Sequence, residues 1–173
     1  MCPDINGTEL VYDGLTAGSS YNHGGAANYI CTAKGVDAEY HPEATTRNAN
    51  FAILYGAEYE TTSGQALNDV NQHNAPCAVC EVTNRSKQIM IPGRYTCPDT
   101  WTVEYSGWLM TAHTGSRRGV FMCLDKTPET VIGRAANNNG ALLYNVEADC
   151  SVGQLPCPNY DDRKEMACVV CTK

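Results

Sequence analysis

The chain has 173 residues, ten of them cysteine, with 18% charged residues and a net charge of −7. This negative balance argues against nucleic acid as a partner, because phosphate backbones are bound by clustered lysine and arginine. No apolar run approaches the roughly 20 residues that a membrane helix needs, so no membrane partner is expected. An even number of cysteines at this density is typical of secreted proteins held together by disulfides.

Two glycosylation triplets are consistent with an extracellular location. No secretory signal precedes Met1-Cys2-Pro3, so we expect the numbering to start at a mature or recombinant terminus. Two N-x-S/T triplets, which begin at Asn6 and Asn84, are acceptor sequences for N-linked glycans. We therefore predict a secreted glycoprotein with Asn6 and Asn84 as its candidate glycosylation sites.

The same order of landmarks occurs twice along the chain, at an offset of about ninety residues. Each copy has a Cys-Pro pair, an alternating stretch that ends in glycine, a His-x-Gly element, a Pro-Glu pair, an Asn-to-Glu segment and a terminal C-x-x-C. In the first copy these landmarks are Cys2-Pro3, Leu10–Gly14, His23–Gly25, Pro42-Glu43, Asn50–Glu58 and Cys77–Cys80. In the second copy they are Cys97-Pro98, Val103–Gly107, His113–Gly115, Pro128-Glu129, Asn139–Glu147 and Cys168–Cys171.

The fold class follows from the pattern of short runs. Runs rich in Tyr, Val, Ile and Thr are separated by Gly, Asn and Pro clusters, which favours strands over helices. We predict a mostly β protein made of two tandem pseudo-symmetric, disulfide-stapled β-rich subdomains, residues 1–90 and 91–173. The boundary is placed within Arg85–Thr96, where Ile91-Pro92-Gly93 has the composition of a turn. A helical turn is expected within Glu60–Val70.

The cysteines are better explained by disulfides than by zinc, although two C-x-x-C pairs could close a tetrahedral site. Six further cysteines accompany them, of which Cys2, Cys31, Cys97 and Cys123 repeat in register while Cys150 and Cys157 have no counterparts in the first copy. Bonding within one C-x-x-C would form a strained small ring. Each thiol should therefore reach back to a distant cysteine of its own copy. The predicted bridges are Cys2 with Cys80, Cys31 with Cys77, Cys97 with Cys171, Cys123 with Cys168, and Cys150 with Cys157. Within each copy the two long bridges could be exchanged.

Several segments together resemble a known family. They are Pro76–Val82, Cys97–Trp101, Glu104–Met110, Leu155–Pro158 and Cys168–Lys173. These segments resemble the C-terminal non-collagenous domain of the short-chain, spongin-type collagens and, more distantly, the non-collagenous domain of basement-membrane collagen IV. The resemblance implies an extracellular, β-rich, pseudo-two-fold domain for chain selection and trimer assembly, with further association of trimers in the collagen IV case. It predicts a homo-oligomer, a trimer or hexamer, that contacts extracellular matrix proteins.

Candidate sites of other kinds are few. His23 and His113 stand in the repeated His-x-Gly loops and could contact a ligand, or could be turn residues beside a strand. No serine or cysteine is accompanied by a base and an orienting acid, so we expect no catalytic residue, no cofactor and no resident metal. The ten tyrosines and two tryptophans could stack on sugar rings. The preferred function is an extracellular matrix assembly module, and the alternative is a secreted carbohydrate-binding protein.

Overall fold

The computed structural model describes residues 1–34, 38–40, 52–61, 66–151 and 155–173. Its strands are β1 (Thr8–Gly18), β2 (Ile30–Ala33), β3 (Tyr55–Tyr59), β4 (Pro76–Val82), β5 (Gln88–Pro92), β6 (Thr102–Thr111), β7 (Met122–Asp125), β8 (Ala141–Asn145) and β9 (Ala167–Thr172). A short 3-10 helix at Asn68–Val70 lies within the segment where a helical turn is predicted. The mostly β class is confirmed.

All nine strands of the described chain belong to one mixed sheet. Its order is β2-β1-β3-β8-β6-β9-β5, with β4 added on β1 and β7 added on β6. The sheet passes from one predicted repeat to the other through the parallel pairing of β3 with β8, from Ala57 opposite Ala141 to Tyr59 opposite Leu143. The predicted boundary between residues 90 and 91 falls inside β5, which pairs with β9. The sheet therefore shows no division into two subdomains, and that division stays a prediction.

Strand pairing nevertheless follows the same scheme on both sides of the β3–β8 junction. β1 pairs with β2, β3 and β4, and β6 pairs in the same way with β7, β8 and β9. Both long strands shift register at corresponding points, between Leu10 and Tyr12 and between Val103 and Tyr105. We call residues 1–82 the first half and residues 88–173 the second half, and call residues at matching positions of the two schemes counterparts.

The ten cysteines form five disulfides, and none is free. The pairs are Cys2–Cys80, Cys31–Cys77, Cys97–Cys171, Cys123–Cys168 and Cys150–Cys157. These are the pairs preferred from the sequence, and the exchanged pairing of the long bridges is not adopted. Five disulfides in a chain of this size indicate an oxidising compartment.

Close packing between strands explains the repeated glycine that ends each alternating stretch. A Cβ at Gly14 of β1 would overlap the carbonyl oxygen of Thr32 in β2. A Cβ at Gly107 of β6 would overlap the carbonyl oxygen of Leu124 in β7. Because the backbones approach this closely, only glycine fits at either position.

The hydrophobic core also spans the junction. One cluster joins Ala57 and Tyr59 of β3 to Met110 of β6 and Leu143 of β8. A second cluster lies within the second half, where Leu109, Val170 and the Cys123–Cys168 bridge pack together. The contact between β3 and β8 is therefore a packed interior rather than a surface contact.

Candidate functional site

The two predicted histidine loops make the same contact in both halves. The ring of His23 lies 5.7 Å from that of Tyr55, and the ring of His113 lies 5.0 Å from that of Tyr144. Both histidines are exposed, and His113 Nδ1 accepts the backbone N–H of Gly115 at 3.0 Å. Within the described part of the chain, no three His, Cys, Asp or Glu side chains are grouped so as to hold a metal ion. A ligand-binding role of His23 and His113 stays a prediction.

Both predicted glycosylation sites lie at one end of the β1–β4 pair. Asn6 and Asn84 are exposed, and they flank the point where the N–H of Thr83 donates to the carbonyl of Gly7 at 2.8 Å. A glycan at either asparagine would project from this end of the sheet. Whether either site is modified stays a prediction.

A buried carboxylate holds the junction between the halves. Glu58 of β3 is 1% exposed, and its Oε2 accepts the backbone N–H groups of Asn138, at 3.1 Å, and Asn139, at 3.2 Å. The backbone N–H of Glu60 donates to the carbonyl of Leu143 at 2.9 Å. These contacts bind the chain just before β8 and within β8 to the first half. The two hydrogen bonds to Glu58 and the bond from Glu60 to Leu143 therefore support the register of the β3–β8 pair.

The carboxyl of Glu60 is placed beside that of Glu58. Burial, followed by the charge of Glu58, raises the pKa of Glu60. Oε1 of Glu58 and Oε1 of Glu60 are both buried without a hydrogen-bond partner in the described structure. When both groups are ionised the pair is repulsive, and a proton on Glu60 relieves it.

A second polar cluster ties the start of β1 to the second half. Arg85 Nη2 forms an ion pair with Glu104 Oε1 at 3.0 Å, and the two side chains are only 13% and 6% exposed. Arg85 Nε donates to the hydroxyl of Thr172 at 2.7 Å, and Nη1 donates to the carbonyl of Asn6 at 3.0 Å. The hydroxyl of Thr8 donates to Glu104 Oε2 at 2.9 Å. The guanidinium thus joins the N-terminal turn to strands β6 and β9.

Sequence reasoning missed both of these clusters as inter-half contacts. Glu58 and Glu147 stand out as a repeated glutamate, but the repeat predicts a strand residue with one buried face. Arg85 is visible as the middle residue of a glycosylation triplet and as the first residue of the boundary segment, and neither position indicates an ion pair. The run Asn137-Asn138-Asn139 was a usable signal, because asparagine is common where backbone groups bond outside regular strands.

The contact between β3 and β8 uses two different edges, and each has an unpaired counterpart. The edge contributed by the second half is Ala141–Leu143, whose counterpart is Ala52–Leu54, here called the head edge. Leu143 is 0% exposed, whereas Leu54 is 55% exposed. No strand of the described chain pairs with the head edge. Ala141–Leu143 are therefore buried in the second half, whereas in the first half Ala52 and Leu54 are exposed and Ile53 is partly buried.

The edge contributed by the first half is Ala57–Tyr59, and its counterpart is Val146–Ala148, here called the tail edge. One side of the tail edge is bonded, because the Ala148 N–H donates to Lys164 at 3.0 Å and Glu147 bridges to Glu165. Its other side, which in Ala57–Tyr59 bonds to β8, has no strand partner in the described residues. Glu147 is exposed where Glu58 is buried.

Comparisons of the chain with models of known families, with curated proteins and with solved structures find no match. In the part of the chain that the structure describes, no helix has the length and apolar character needed to cross a membrane. The features of the described structure that bear on function are the two edges without a strand partner and the five disulfides.

Proposed function

We propose that the protein is a secreted extracellular matrix module, built from two copies of one β-rich unit at residues 1–90 and 91–173, that self-associates head to tail. The observation that carries the proposal is the pair of unmatched edges. Inside the chain, a tail-type edge at Ala57–Tyr59 binds a head-type edge at Ala141–Leu143. One head edge, Ala52–Leu54, and one tail edge, Val146–Ala148, are left over.

The two left-over edges are complementary to each other rather than to themselves. A contact between them joins different surfaces of two copies, and such contacts build a closed ring or an open filament. A closed ring of two copies, in which each head edge meets the partner's tail edge, uses both edges, and so does a larger ring. The resemblance to collagen non-collagenous domains supports a closed ring, and it favours a trimer or hexamer acting on matrix partners.

The physical gain comes from burial and from backbone pairing. Leu54 is 55% exposed, and its counterpart Leu143 becomes fully buried by pairing with β3. Burying a leucine side chain that is otherwise exposed stabilises by roughly 1.5–3 kcal/mol. Open strand edges also favour pairing with another chain, because their N–H and C=O groups lack partners. Association of two copies through these edges would bury Leu54 and pair the backbone groups of both edges.

Light scattering of the oxidised protein across a range of concentration tests the proposal. We expect a stable oligomer that dissociates in the Leu54→Arg variant without a change in the thermal unfolding of the monomer. Ile132→Arg is the matched control, because Ile132 is 97% exposed and lies outside both edges. Its oligomer should be unchanged.

A mixing experiment tests the head-to-tail geometry. Glu147→Pro removes the N–H that faces away from Lys164 on the tail edge and retains the bonded N–H groups of Val146 and Ala148. Each blocked variant alone should be monomeric, and a mixture with Leu54→Arg should give a 1:1 dimer through the one intact pair of edges. A native protein that is monomeric at every concentration would overturn the proposal and turn attention to carbohydrate binding, measured on a glycan array.

A further inference from the structure

The strands β4 and β9 are counterparts, but they differ in how their edges are used. β9 pairs with β6 on one edge and with β5 on the other, whereas β4 pairs only with β1 among the described residues. Cys168–Thr172 are at most 4% exposed. The residues of β4 are only partly buried, and Glu81 is exposed. One edge of β4 is therefore free in the described structure.

The pairing of β5 with β9 shows which backbone groups face this second edge. Lys87 and Lys173 exchange two N–H···O=C bonds of 2.9 and 3.0 Å. Such bonded pairs recur at every second residue of an antiparallel ladder, so the N–H and C=O groups of Val169 and Cys171 face β5. The counterparts of these two residues are Ala78 and Cys80.

Hydrogen bonds to β1 fix the same alternation in the first half. The N–H of Thr83 donates to Gly7, and the carbonyl of Ala75 accepts from Thr16. The residues of β4 that bond to β1 are thus the odd-numbered ones, and the N–H and C=O groups of Ala78 and Cys80 point away from β1. The free edge presents a row of backbone donors and acceptors.

The side chains beside this edge are also less covered than their counterparts. Met90 of β5 packs on the cluster that contains Val170 and the Cys123–Cys168 bridge, next to Tyr105, whose hydroxyl donates to the carbonyl of Cys123. In the first half, Tyr12 donates in the same way to the carbonyl of Cys31 at 3.0 Å. No strand of the described chain pairs with β4 where β5 pairs with β9, and Tyr12 is 40% exposed.

The charges at the free edge indicate which side chain of an added strand would fit beside Glu81. Glu9 of β1 stands directly opposite Glu81 of β4, and both are exposed. Like charges directly opposite on paired strands are destabilising. At the matching position of the second half, three neutral residues stand in a row, namely Thr102, Thr172 and Gln88. A lysine or arginine at the Gln88 position of an added strand would lie next to Glu81 and offset the repulsion.

We propose that the free edge of β4 binds an extended segment of a partner protein, which adds to the sheet antiparallel to β4. The segment has the alternating apolar pattern of Gln88–Pro92, with a lysine or arginine in the place of Gln88. Its backbone bonds to Ala78 and Cys80, and its central apolar side chain covers the Cys31–Cys77 bridge and Tyr12. Strand addition of this kind draws affinity from the backbone and specificity from alternate side chains. The site is separate from the head and tail edges.

Fluorescence anisotropy of a labelled peptide tests the site on the intact, disulfide-bonded protein. The peptide has the sequence of Lys87–Gly93 with Gln88→Lys. We expect saturable binding, weakened about tenfold when the backbone nitrogen of Ile89 is methylated, because that nitrogen faces the acceptor strand. Methylation at Met90 places the methyl group on the opposite edge and should leave affinity within about twofold.

Two protein variants locate the binding. Glu81→Gln should remove the advantage of lysine over glutamine in the peptide, an advantage of about two- to fivefold. Ala78→Pro deletes an outward N–H and should abolish binding, with thermal unfolding confirming the fold. The absence of saturable binding up to about 1 mM overturns the proposal. So does binding that is indifferent to Glu81→Gln and to the position of methylation, because the peptide then displaces β5 from β9 or binds elsewhere.

Discussion

Strand β4 in the first half and its counterpart β9 in the second half carry the same C-x-x-C motif and the same pair of long disulfides, but β9 is buried from Cys168 to Thr172 and β4 is not buried. Cys168 and Cys171 are 0% exposed, whereas Cys77 and Cys80 are partly exposed. The difference comes from β5, which covers β9 and has no described counterpart on β4. The two halves therefore share their strand pairing and long disulfides and differ in burial, because β5 covers only β9 among the described strands.

The largest expected effect is the loss of free energy of unfolding when one of the matched bridges, Cys31–Cys77 or Cys123–Cys168, is removed. They span 46 and 45 residues, so the chain-entropy model gives each about 4 kcal/mol of stability. The double substitution Cys123→Ala with Cys168→Ala also leaves a cavity in a packed cluster, which adds about 1–2 kcal/mol. We expect it to be more destabilising in urea unfolding than the double alanine substitution at Cys31 and Cys77. Equal losses would contradict the difference in packing between the halves.

The next largest effect concerns the ion pair of Arg85 with Glu104, because the counterpart of Glu104 in the first half is not charged. Arg85 pairs with Glu104, whose counterpart Val11 is 59% exposed. Arg85→Ala leaves a buried carboxylate without its partner and should lower the free energy of unfolding by about 3–5 kcal/mol. Replacing both residues, Arg85→Met with Glu104→Leu, should be much less destabilising, because no charge is then left buried. Arg94→Ala is the control, since Arg94 is exposed and its Nη2 donates to the nearby hydroxyl of Thr96.

The mostly β class could be predicted from short local runs, and the disulfide pairs could be predicted except that the two long bridges of each copy remained exchangeable. Cysteine spacing and the strain of a C-x-x-C ring restrict the pairing within each copy. The boundary was harder to predict, because Ile91-Pro92-Gly93 has the composition of a turn. In the structure Ile91 and Pro92 end strand β5, and the turn begins at Gly93, which has a φ of +78°. A proline at the end of an edge strand is compatible with pairing.

The junction between the halves could not be predicted from local patterns. Glu58 and Glu147 have matching surroundings in sequence, yet Glu58 is 1% exposed and Glu147 is exposed. The difference arises from the residues opposite them in space, which for Glu58 are the backbone N–H groups of Asn138 and Asn139. Register between strands separated by more than eighty residues is set by such distant contacts.

The smallest expected effect is the change in stability when one of the two neighbouring carboxyls at the junction, Glu58 or Glu60, is replaced by an amide. Because the pKa of Glu60 is raised in the folded protein, the folded state holds its proton more strongly than the unfolded state. Its ionisation therefore reduces stability as pH rises through and above the ordinary glutamate pKa of about 4.3. Glu60→Gln removes this loss, so the variant should be more stable than the native protein at pH 7, by less than about 1 kcal/mol, with the gain disappearing near pH 4.

Glu58→Gln is the matched substitution and should act with the opposite sign. One carboxyl oxygen of Glu58 accepts two backbone N–H groups, and glutamine replaces one of the two carboxyl oxygens with an NH2 group that donates instead of accepting. Thermal unfolding of both variants from pH 4 to pH 8 separates the two roles. If both substitutions stabilised the protein at pH 7, the carboxylate of Glu58 would be a source of repulsion like Glu60, and the β3–β8 register would depend on apolar packing alone.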